Sequence, residues 1–207
     1  MFYSYQSLGI KSCKESFGFK SIFLIIIVSF LFSAACSNDA QKSANHLQKG
    51  VQALENNELK KAEIEIKNAL QLQPESSDAY YQLGQVFLKQ GKARKAFQAY
   101  SKTTQLNPEH SKANLRLAAF YLGAGRIEDA LKTAQSALQN AQNSTEARLT
   151  YASVLVSDKA YNDALEQVNT LIESEPENVR AHLLKGNCLI GLGKIDAAES
   201  ALQKAVA

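Results

Sequence analysis

Between Ser77 and Pro108, apolar and small residues recur at three- and four-residue spacing, first as Tyr80, Leu83, Gly84 and Phe87, then as Ala96 and Tyr100. Such spacing puts a stripe along one side of a helix, and the interruption at Gln90-Gly91 divides the stretch into two helices. Asn107-Pro108 ends the second, because proline cannot continue a helix and moves the residue before it out of the α region. The arrangement recurs with starts at residues 43, 77, 111, 145 and 179, without insertion or deletion. Position 8 is Gly50, Gly84, Ala118, Ala152 and Gly186, and position 20 is Ala62, Ala96, Ala130, Ala164 and Ala198. Small residues at both places predict that the first helix (A) and the second (B) of each unit cross closely. Position 11 (Ala53, Phe87, Tyr121, Leu155, Leu189) is expected to fill the space beside the crossing, and position 32 is Pro74, Pro108, Gln142 and Pro176. Gln142 removes a stop signal, yet the polar run from Asn140 to Ser144 still predicts a turn.

Tyr80, Leu83-Gly84, Phe87, Ala96, Tyr100 and Pro108, at their relative positions 4, 7-8, 11, 20, 24 and 32, resemble the tetratricopeptide repeat. The resemblance implies an all-α, right-handed α-solenoid over 43–207, with repeats 43–76, 77–110, 111–144, 145–178 and 179–207, the last cut short. In the family's fold the A helices line a concave face into which positions 2, 5, 9 and 12 point. Position 5 is Leu47, Tyr81, Leu115, Leu149 and Leu183; position 12 is Leu54, Leu88, Leu122, Val156 and Ile190. Position 2 is Ala44, Asp78, Lys112, Glu146 and Arg180, and position 9 is Val51, Gln85, Ala119, Ser153 and Asn187. The candidates for a peptide groove are Tyr81, Gln85, Lys112, Leu115, Arg116, Glu146, Leu149, Arg180, Leu183 and Asn187. A protein or peptide partner with apolar anchors suits such a surface. Lys112 and Arg116 match the third-repeat part of the family's carboxylate clamp, but Leu47, Val51 and Gln82 stand at its other positions, so two of five do not make a clamp.

The chain opens with a targeting pattern. Lys11, Lys14 and Lys20 precede an apolar run from Ile22 to Phe32, then Ser33-Ala34-Ala35-Cys36. The last residues resemble a bacterial lipobox, with Ser33 where leucine is usual. The resemblance implies a signal peptide over 1–35, acylation of Cys36 as the membrane anchor, and a short tether over 36–42. An ordinary cleaved signal and an uncleaved inner-membrane anchor are the alternatives, since no charge falls between Ser21 and Asn38. Ser37 after the cysteine implies the periplasmic face of a Gram-negative outer membrane.

Composition adds exclusions. The chain has 207 residues, 45% hydrophobic and 21% charged, with a net charge of +3 concentrated before the repeats, which is no nucleic-acid footprint. Of three cysteines, only Cys188 lies in the repeats, at an apolar position that reads as a small buried hydrophobe. His46, His110 and His182 are too far apart in the array to share a metal, no phosphate loop or nucleophile elbow is present, and no cofactor is implied. The expected function is a non-enzymatic envelope scaffold, and the start of the repeat array is similar to tetratricopeptide lipoproteins of exosortase and exopolysaccharide systems. Type IV pilus assembly or outer-membrane secretion lipoproteins are the alternative, and the repeat portion of a larger enzyme a more distant one. Ile195, Ala198, Leu202, Ala205 and Val206 form an apolar final stripe, from which either further repeats or self-association at that end is expected.

Overall fold

The computed structural model describes residues 38–206; the signal segment and Cys36 lie outside them. Helix α1 covers 38–55 among the described residues. It is followed by α2 (Leu59–Leu72), α3 (Ser77–Lys89), α4 (Ala93–Leu106), α5 (Ser111–Gly123) and α6 (Ile127–Asn140). Helices α7 (Thr145–Ser157), α8 (Tyr161–Ser174), α9 (Val179–Gly191) and α10 (Ile195–Lys204) complete the array. Odd-numbered helices are the A helices and even-numbered ones the B helices. From α3 to α9 every A helix begins at position 1 of its repeat, and every B helix begins at position 17.

Local chemistry explains these boundaries. At position 34 the side chains of Ser76, His110, Ser144 and Asn178 accept a hydrogen bond from the backbone N–H of Ala79, Ala113, Ala147 and Ala181, capping the A helices. At position 15 the backbone is left-handed in all five repeats: Asn57 (φ 60°), Gly91 (72°), Gly125 (71°), Lys159 (63°) and Gly193 (72°). That residue reverses the chain between A and B, and glycine occupies it without a Cβ clash. The turn at Gln142 forms without proline, since α6 still stops at Asn140 and α7 starts at Thr145. The tether expected over 36–42 is helical from residue 38. No glycine or proline interrupts it, and Lys42 pairs with Asp39 one turn earlier.

The crossing predicted at position 8 is present, but the partner that needs the room is position 24. A Cβ on Gly50 would lie 2.5 Å from Ile66 Cγ1, one on Gly84 2.6 Å from Tyr100 Cε1, and one on Gly186 2.5 Å from Leu202 Cδ2. Where position 8 is alanine, position 24 shrinks: Ala118 shares a core cluster with Ala134, and Ala152 with Val168. Glycine on A thus goes with a large residue on B, and alanine on A with a smaller one, as close packing at the crossing requires. Burying Ile66 or Val168 contributes about 1.5–3 kcal/mol each, and both are inaccessible to solvent or nearly so. The alanines at position 20 are buried in every repeat.

Each helix packs chiefly on its sequence neighbour, and in addition α5 lies on α7 and α7 on α9. No two B helices pack to a comparable extent among the described residues. The A helices therefore form the tighter, inner layer, and the concave side of the array is theirs.

Candidate functional site

Positions 2 and 12 of an A helix are ten residues apart, about 15 Å along the axis. They form the two margins of the concave face, with position 9 between them. Lys112, Glu146 and Arg180 on the first margin are exposed, and so is Asp78 beside them. Arg116, one turn inside, reaches across to the next repeat, its Nη2 3.9 Å from Glu146 Oε1. Asp78 Oδ1 lies 3.6 Å from His110 Nε2, and the His110 ring lies against Tyr81 with centroids 4.8 Å apart. The second margin is apolar: Leu88 is 39% exposed and Ile190 51%, with Leu122 and Val156 half-buried between them.

The floor is mixed. Gln85 is held by two tyrosines, donating to Tyr81 Oη at 2.7 Å and accepting from Tyr100 Oη at 3.2 Å. Burial of Tyr100 pushes its phenol well above the ordinary value, so it stays a neutral donor. Ser153 is satisfied by the Leu149 carbonyl at 2.7 Å, while Ala119 and Asn187 are open to solvent.

Three of the ten residues expected in the groove contribute little surface. Tyr81, Leu115 and Leu149 are 8%, 6% and 2% exposed. Each joins a core cluster with position 3 of the following A helix: Tyr81 with Ala113, Leu115 with Ala147, and Leu149 with Ala181. Position 5 is thus inter-repeat core in repeats two to four, while Leu47 in repeat one is half-buried and Leu183 in the last repeat is 42% exposed. Gln85, Lys112, Arg116, Glu146, Arg180, Leu183 and Asn187 keep accessible surface. At the end of the array Ile195 and Val206 are exposed as expected, but Ala198 and Ala205 are buried, and Leu202 leans over Gly186. Ile190, Ile195, Leu202 and Val206 border a concavity of about 420 Å³ there.

Position 4 carries a feature that pattern reading passed over. The family's aromatic is present only as Tyr80; His46, Asn114, Arg148 and His182 replace it elsewhere. Three of these bond back to the carbonyl at position 32 of the preceding repeat: Asn114 Nδ2 to Pro108 O (2.9 Å), Arg148 Nη2 to Gln142 O (3.0 Å) and His182 Nε2 to Pro176 O (2.7 Å). His46 instead pairs with Glu65 at 2.7 Å. The signal was visible as a polar column at one register, but its meaning required knowing that the turn carbonyl lies within reach.

Catalytic chemistry finds little to build on. No cluster of three or more metal-ligating side chains occurs among the described residues. Cys188 is fully buried, and burial pushes its thiol up, away from the reactive thiolate. No described helix is long and apolar enough to cross a membrane.

Residues 87–154 and 66–98 match tetratricopeptide-repeat models, and residues 123–205 match the model described as anaphase-promoting complex, cyclosome, subunit 3. No curated protein matches the chain. Among solved structures it is similar to YrrB, described as a TPR protein with an unusual peptide-binding site, at 22% identity and TM-score 0.71 over 84% of this chain and 90% of that one. It is similar to MamA from Desulfovibrio magneticus RS-1 at 18% identity and TM-score 0.71, over 80% and 93% of the two chains. A third likeness is to Pseudomonas aeruginosa pilF, at 17% identity and TM-score 0.69, over 82% and 77%. Repeat matches, helix order and neighbours of this kind together make the described chain an all-α solenoid of tetratricopeptide repeats.

Proposed function

We propose that the chain is a non-enzymatic scaffold that binds a protein segment in the concave face of its A helices and is held in the bacterial cell envelope through lipid on Cys36. One observation carries the binding reading: Leu88 and Ile190 leave large apolar side chains in water on the inner face, opposite a row of exposed charges. Leu122 and Val156 between them pack partly into the core, whereas the area that Leu88 and Ile190 leave in water at a concave surface suits apolar anchors of a partner. YrrB, with its peptide-binding site, supports this use of the fold. The lipobox-like Ala34-Ala35-Cys36 supports the anchor, and the sequence resemblance to exopolysaccharide-associated lipoproteins supports service in an export or sorting system.

A photo-crosslinking residue at Ala119, on the groove floor, is expected to capture one defined envelope protein in living cells. The same residue at Ile64, exposed on α2 outside the groove, is not. Equal capture from both positions overturns the groove. Palmitate labelling is expected for the parent and absent from Cys36→Ser; labelling of both, or of neither, overturns the anchor. Loss of the gene is expected to lower exopolysaccharide at the cell surface, and unchanged polymer removes that assignment.

A further inference from the structure

The two margins of the concave face share a period and a starting point. Repeat one contributes to neither: position 2 is Ala44 and position 12 is the buried Leu54. Repeats two to five contribute to both, with Leu88, Leu122, Val156 and Ile190 on one side and Asp78, Lys112, Glu146 and Arg180 on the other. The charges alternate in sign from one repeat to the next. Arg116 adds to the positive charge of repeat three while touching Glu146 of repeat four.

The A helices α5, α7 and α9 pack on one another, and packed helices lie about 8–10 Å apart, so along these repeats each margin presents one feature about every 9 Å. A polyproline II strand rises about 3.1 Å per residue with three residues per turn, so it returns the same side to the same direction about every 9 Å. A β-strand, with its two-residue alternation, would turn successive anchors to opposite sides. Resting on the groove reading above, we propose that the partner is an extended, polyproline II-like segment of four triplets. Each triplet sets one apolar side chain against the Leu88-to-Ile190 margin and one charge against the Asp78-to-Arg180 margin, the charges alternating basic, acidic, basic, acidic. Like charges brought together at any one repeat oppose docking, so the alternation selects register and direction as well as composition.

The test uses the full-length chain in detergent micelles and labelled peptides built from Leu-Lys-Pro and Leu-Glu-Pro triplets. One pair alternates the triplets, in either order; a second pair of identical composition groups the two basic triplets together. The alternating peptides are expected to bind about three- to ten-fold tighter at low salt, with the gap closing as salt screens exposed charges. Lys112→Glu combined with Glu146→Lys turns the margin from alternating to grouped and is expected to reverse the preference. Because both positions are exposed, helicity should not change. Equal binding of all the peptides, or a preference that the double substitution leaves in place, overturns the charge code and leaves the groove standing. Binding that is absent for every peptide, or that survives Leu88→Asp with Ile190→Asp, overturns the groove as well.

Discussion

Gly84 and Tyr100 are fitted to each other: three ring carbons of the tyrosine lie within 2.9 Å of the point where a Cβ on the glycine would sit. The ring is fully buried and its hydroxyl donates to Gln85 in the groove floor, so this crossing couples the core of repeat two to the concave face. Gly84→Ala is expected to destabilise the fold by about 1–3 kcal/mol through overpacking. Combining it with Tyr100→Ala recreates the pair that repeat three uses, Ala118 with Ala134. The double variant should then lose less than the sum of the single losses, with a coupling of about 0.5–3 kcal/mol in a denaturation cycle. Additive losses would mean that the two residues do not share the space.

Lys159 holds a left-handed conformation at a register where three other repeats have glycine. Lys159→Gly should raise stability by up to about 1 kcal/mol, because the clash with its Cβ is relieved and partly offset by a freer unfolded chain. A thermal melt that moves down, or does not move, counts against strain at this turn.

Glu63 accepts from Lys67 Nζ at 2.7 Å and from Gln90 Nε2 at 3.0 Å, and Lys92 Nζ lies 3.6 Å away. Chiefly through the Lys67 hydrogen bond, its carboxyl is held down to about 2 from an ordinary 4.5. A folded-state pKa below the unfolded one gives stability that is complete above about pH 4.5 and drains away as pH falls toward 2. Glu63→Gln should therefore cost on the order of 1 kcal/mol at neutral pH and nothing near pH 2, with the difference closing across that window. Urea melts of the two proteins at a series of pH values measure it, and a constant gap would exclude the ionised carboxylate as the cause.

Asn114 fastens α5 to the Pro108 carbonyl at 2.9 Å and is itself buried. Asn114→Leu should cost about 1–3 kcal/mol by leaving that carbonyl unsatisfied. Asn114→Tyr, the residue that repeat two carries at this register, tests whether an aromatic can replace the latch by packing. Melting temperatures order the three proteins, and a leucine variant as stable as the parent would show that the turn needs no donor.

Much of the architecture could be read from the chain itself because its determinants are local and periodic. The unbroken register, the small residues at positions 8 and 20 and the turn residues each act within one helix or one turn, and helices α3 to α9 begin where that register places them. Which side chains stand at positions 2 and 12 was legible for the same reason, since those positions depend only on the side of an A helix they occupy. What lay across a repeat boundary was decided by the tertiary structure. Tyr81, Leu115 and Leu149 belong to the core because each joins a cluster with an alanine of the next A helix, while Leu183 at the same register stays open. The polar column at position 4 became intelligible only when a turn carbonyl six residues upstream came within hydrogen-bond distance. A residue's own periodicity states which way it faces; whether that direction holds water, a neighbouring methyl or an unpaired carbonyl depends on the size and position of other side chains.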